Sequence, residues 1–169
     1  MSIYFDHTTH QYVKAINFLT LLYRPGAVLL PVGIHLVVKY LHCQIKDKKE
    51  VSKASLTKNE AFRALLAAGC QNAIPFVYVP ADSWYTNADN VNAVLKVNRH
   101  WLGACKSNPE VALSKEDRAN GRYIALSEVK LAVGVPRDVY IRSVAVVIRV
   151  CKDILPNKDG SGLWVNCCY

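Results

Sequence analysis

Apolar residues in this chain fall into blocks whose spacing predicts the elements. Tyr12, Ala15, Ile16, Leu19, Leu22 and Tyr23 recur at helical spacing, with Thr8 or Thr9 placed to cap the run and Pro25-Gly26 to end it. Val13, Phe18 and Leu21 fill the other sides, so this predicted helix is apolar almost all round, as a central or subunit-packed helix would be. A second apolar element follows over 27–43. There Pro31 weakens a helix, while Val37-Val38 fits helix or strand.

Ser55-Leu56-Thr57-Lys58-Asn59-Glu60 offers capping residues for a third helix, with Ala61, Leu65 and Ala68 on one face and a stop at Gly69 and 72–75. Phe76-Val77-Tyr78-Val79, between Pro75 and Pro80, reads as an edge strand. A further helix is expected over about 90–106, capped by Asn87 or Asp89. From Arg122 onward, alternation over 123–133 and the β-branched run 139–150 favour strands, with 157–162 turning back into Leu163-Trp164-Val165 as a hairpin. The fold class expected is therefore α+β, with N-terminal helices packed on a small antiparallel sheet from the C-terminal third; an all-α bundle is the alternative. One globular domain over 1–169 is expected, with an exposed charged connector at about 44–54 that holds Lys46, Asp47, Lys48, Lys49, Glu50 and Lys53.

Composition narrows the class. The 169 residues are 51% hydrophobic with three Trp, which excludes a disordered or collagen-like chain. The uncharged run from Pro25 to Val38 is 14 residues, short of the roughly 20 that span a bilayer. It reads as two buried elements around a turn, ahead of a membrane-associated hairpin, and no transmembrane span is expected. The first residues lack the basic start and cleavage pattern of a signal peptide. Six widely spaced cysteines, adjacent only at Cys167-Cys168, then suggest reduced thiols and an intracellular, cytoplasmic setting. Cys70, Cys105 and Cys151 lie in apolar surroundings and read as small buried hydrophobes.

Charge points to partners rather than to a fold. A net +8 attracts polyanions, and the surplus is spread: residues 1–50 hold 6 basic and 3 acidic side chains, 51–109 hold 6 and 3, and 110–169 hold 9 and 7. The interval 90–109 has no carboxylate, and on a helix Lys96, Arg99 and Lys106 share a face, with His100 and Trp101 beside them. Cations hold phosphates and an aromatic ring stacks a base. Arg142 and Arg149 in the arginine-rich last third extend the candidate nucleic-acid-binding set, although the acidic residues around them favour salt bridging.

The expected function is nucleic-acid binding, to RNA or single strands ahead of duplex DNA, with self-association through 12–42 to raise avidity. The first alternative is an interaction or assembly module that docks through the apolar segment 12–42. The second is a Cys/His-dependent hydrolase or transferase using Cys70 with His35 or His100 and Asp82, though Cys70 falls at the helix end that disfavours a thiolate. No nucleophile elbow, phosphate loop or dinucleotide turn occurs, so no catalytic residues are assigned and no enzyme is expected. The spacings His7-x2-His10 and His42-Cys43 do not make a zinc site, so neither metal nor cofactor is expected.

Overall fold

The computed structural model describes residues 2–6, 9–45, 49–105, 108–156 and 162–168, with backbone alone for 2, 40–53 and 154–168. Its contacts divide the chain into two compact units, Met1–Pro75 and Phe76–Tyr169.

Among the described residues, unit 1 is three separate antiparallel strand pairs and one helix. The pairs are β1 (Ser2–Asp6) with β2 (Gln11–Ala15), β3 (Asn17–Tyr23) with β4 (Leu30–Val37), and β5 (Lys39–Ile45) with β6 (Lys49–Ala54). Helix α1 (Lys58–Gln71) packs on β3 and β4. It opens on a complete capping box: the Thr57 hydroxyl accepts from the Glu60 amide at 3.2 Å, and the Thr57 amide donates to Oε2 of Glu60 at 2.7 Å. The Thr57 amide and the Thr57 hydroxyl, both donating to the Glu60 carboxylate, hold it below its ordinary pKa. Gly33 lets the hairpin approach the helix, since a Cβ there would sit 3.0 Å from Cδ2 of Leu65.

Unit 2 holds one seven-stranded sheet. Its strands are β7 (Tyr78–Ala81), β8 (His100–Cys105), β9 (Glu110–Ala112), β10 (Ile124–Ala125), β11 (Arg137–Ile141), β12 (Ile148–Pro156) and β13 (Gly162–Cys168), in the order β10-β9-β11-β12-β13-β8-β7. All neighbours are antiparallel except β7 and β8, which run parallel because helix α2 (Ala88–Lys96) carries the chain across between them. A short helix α3 (Lys115–Ala119) follows β9. Val79, Val91, Val94, Trp101, Val111, Leu126, Val139, Val144, Ile148 and Val150 form the buried core of this unit.

This architecture overturns both the expected helix-then-sheet order and the all-α alternative. Strands lie at both ends and the helices in the middle. The all-round apolar run 12–23, expected as a helix, is divided between two strands of separate hairpins, β2 and β3; within β3 the two sides serve two faces, Leu19 and Leu21 on the side of α1 and Phe18 on the other. The charged stretch 44–54 falls largely on β5 and β6. The β-branched run 139–150 is two strands broken by a turn, with Ser143 in the left-handed region at φ 65°. Asn92 holds that turn, its Nδ2 donating to the Ser143 carbonyl at 2.8 Å and its Oδ1 accepting from the Ala145 amide at 3.1 Å. The hairpin expected to join the 139–150 run to Leu163-Trp164-Val165 is present, with its strands at β12 and β13.

Candidate nucleic-acid interface

The helix expected over 90–106 stops at Lys96. Asn98 adopts φ 55°, which ends the helix, and the chain turns into β8. The reason lies in 100–105 itself, where Trp101, Gly103 and Cys105 alternate with His100, Leu102 and Ala104. The first set faces inward beside α2, and Trp101 is only 2% exposed. Gly103 is required there: a Cβ would lie 2.8 Å from the Ala81 carbonyl and 2.9 Å from Nε1 of Trp101. Trp101 is thus a core residue and offers no stacking face.

The opposite face of this sheet edge is open. Tyr78 pairs in register with His100, and Pro80 with Leu102, so alternation sets all four outward. Tyr78 is 60% exposed, its ring 5.5 Å from that of His100 and tilted by 36°. Immediately before His100, Arg99 lays its guanidinium 5.2 Å from the Phe76 ring centre and donates from one terminal nitrogen to the Asn98 carbonyl at 3.0 Å. Its Nε is buried and makes no hydrogen bond among the described residues. Lys96 is exposed at the C-terminal end of α2, where the helix dipole favours a cation. Lys106 lies outside the described residues.

Register through β13 sets Arg149 on the same open face, since Cys151 and Ala104 both pair with Cys167. It lies two strands from Leu102, about 10 Å away. Arg149 is already engaged: its Nε and one terminal nitrogen donate to the two oxygens of Asp138 at 2.7 and 3.1 Å, and the pair holds Asp138 below its ordinary pKa. Arg142 lies past the end of β11, ion-paired with Glu110 and against the Tyr123 ring, and Glu110 raises its pKa. Arg118 donates to the Val144 and Ala145 carbonyls, and Arg122 pairs with Asp117. The arginine-rich third therefore spends most of its charge inside the unit.

The structure thus sets His100 beside Tyr78 on the open face, Arg99 over Phe76 and Lys96 at the end of α2, leaves Arg149 on the open face in an ion pair, and buries Trp101. It also supplies Tyr78 and Phe76, which the sequence reading left as strand residues. The strand expected over 76–79 lies at Tyr78–Ala81, and its pairing with β8 sets Tyr78 outward.

The expectation of reduced, buried thiols is not met in full. Cys105 is buried and disulfide-bonded, while Cys70 and Cys151 are free and half-buried. Asp82 caps the turn Ser83–Tyr85, accepting from the Trp84 amide at 3.2 Å. Among the described residues no three His, Cys, Asp or Glu side chains gather as a metal site. No helix among them is long and apolar enough to cross a membrane. Comparison with protein-family models, with curated proteins and with solved structures finds no match to this chain.

Proposed function

We propose that the protein binds single-stranded nucleic acid, RNA in particular, on the open edge of the unit 2 sheet. Tyr78 serves as the stacking platform, and Arg99, His100 and Lys96 contact the backbone. The observation that carries this reading is the exposed Tyr78 ring beside His100 on an uncovered sheet face, with the Arg99 guanidinium lying over the nearby Phe76 ring. Stacking is sequence-tolerant because every base has a π-face, and the cations add a salt-dependent term.

The test is a fluorescence-anisotropy titration with single-stranded RNA at two salt concentrations. Affinity falls steeply with salt, Tyr78→Ala loses ~1–3 kcal/mol of binding, and Arg99→Glu flattens the salt slope. Affinity that ignores salt, or that survives both substitutions, rules the reading out.

A second reading is favoured by one observation in unit 1. Phe18, Ile34 and Leu36 on the β3–β4 hairpin are each more than half exposed, which supports the docking of segment 12–42 on another body.

A further inference from the structure

The β3–β4 hairpin has two apolar faces and only one helix to cover them. Cross-strand pairing sets Phe18 opposite Leu36 and Thr20 opposite Ile34, and these residues share the side away from α1. Phe18 is 57%, Ile34 62%, Leu36 57% and Leu22 48% exposed. At the tip, the loop between the strands adds Val28 and Leu29, 56% and 57% exposed. An apolar protrusion of this kind on a strand pair marks a contact with something else.

Charge identifies the occupant. From His7 to Lys46 the chain contains no Asp or Glu, yet holds Lys14, Arg24, Lys39 and Lys46. This acid-free interval is longer than 90–109, and it contains the whole bare face. Arg24 stands at the tip itself, exposed, with its Nε donating to the Gly26 carbonyl at 3.1 Å, so the cation is fixed beside Val28 and Leu29 in sequence. Apolar side chains with a cation, Arg24, at the tip and no carboxylate anywhere in the hairpin sequence match the boundary between lipid chains and anionic headgroups. A two-fold contact with a second copy would set two such hairpins, each cationic and without a carboxylate, against each other with no opposite charge in either to offset them.

We propose that the β3–β4 hairpin seats unit 1 on an anionic lipid surface, with Val28, Leu29, Phe18, Ile34 and Leu36 entering the interfacial region and Arg24 meeting the headgroups. The proposal rests on the docking reading and names its partner. It is independent of nucleic-acid binding by unit 2.

The experiment is cosedimentation of the full chain with vesicles of mixed phosphatidylcholine and phosphatidylserine, and with vesicles of phosphatidylcholine alone. The wild type binds the mixed vesicles more tightly. Val28→Asp with Leu29→Asp weakens that binding roughly tenfold or more, and Arg24→Gln about fivefold. All three substitutions lie in an exposed loop, so the thermal midpoint and the RNA titration stay at wild-type values, which separates loss of docking from loss of fold. Tyr78→Ala leaves vesicle binding intact. Absence of vesicle binding overturns the proposal, as does binding that Arg24→Gln reduces while the double substitution does not, which is adsorption by charge alone. Concentration-dependent self-association abolished by the double substitution, without vesicle binding, assigns the face to a second copy and overturns it too.

Discussion

The two units use similar residues to opposite ends. Unit 2 merges seven strands into one sheet and buries Val79, Trp101, Val139, Ile148 and Val150 on the α2 side. Unit 1 keeps its six strands in three separate pairs. Among the described residues, Ala61 and Leu66 are its only buried apolar side chains, while Ile3, Tyr12, Ile16, Phe18, Ile34 and Leu36 are all more than half exposed. A two-stranded sheet gains independent stability from packing, and here α1 supplies it to β3 and β4 on one face. Apolar content alone therefore does not locate a core. What matters is whether strands share a sheet whose face another element covers.

The sharpest way to break this comparison is one large side chain from each unit. Trp101→Ala removes the largest fully buried side chain and costs ~3–5 kcal/mol in denaturant unfolding. Phe18→Ser, in unit 1, changes stability by no more than about 0.5 kcal/mol, because the ring is already largely in water. Equal losses for the two would show that the hairpin face is covered in the free protein. Next in size is Asn92→Ala. It leaves the Ser143 carbonyl and the Ala145 amide without their side-chain partner, at ~1–3 kcal/mol. A smaller loss than Phe18→Ser would mean that the 142–147 turn holds without the clamp.

How far the sequence carried this picture follows the same divide. Local signals in the chain were readable: capping residues over 55–60, of which Thr57 and Glu60 form the box, a cap at Asn87 or Asp89, of which Asn87 serves, an edge strand near Pro80, displaced by two residues, and the hairpin turning over 157–162. Each depends on residues within a few positions of one another. The run 12–23 was not readable, since residues apolar on all sides fit a buried helix and a two-faced hairpin equally well, and the choice rests on α1, some forty residues away. The stretch 97–105 failed for a related reason. Val91, Val94, Leu95, Leu102 and Cys105 keep helical spacing across a break that only the left-handed Asn98 reveals. In the candidate site, Lys96, Arg99 and His100 were legible as cations in an acid-free interval. The proposed stacking residue was not, because choosing Tyr78 over Trp101 requires knowing which strand pairs with which.

The smallest expected effect concerns pH. Asp138, on β11, accepts two hydrogen bonds from Arg149, and they hold its carboxyl below the ordinary value. A carboxyl whose pKa is lower folded than unfolded binds fewer protons in the native state. Its stabilising contribution is therefore present above the ordinary carboxylate range, near pH 4, and is lost as pH falls through that range. Asp138→Asn removes this contribution, so unfolding at neutral pH comes slightly earlier than in the wild type, and the difference closes as the solution is acidified below about pH 4. The pair is solvent-exposed, so added salt narrows the neutral-pH difference as well. Glu60 in unit 1 is depressed in the same direction by different means, since the amide and hydroxyl of Thr57 lower it more than any cation does. Glu60→Gln keeps a capping acceptor, so its neutral-pH difference responds less to salt than that of Asp138→Asn. Paired denaturation curves at two pH values and two salt concentrations read both, and a difference for Asp138→Asn that widens towards acid would show that the Arg149 pair is not what lowers its pKa.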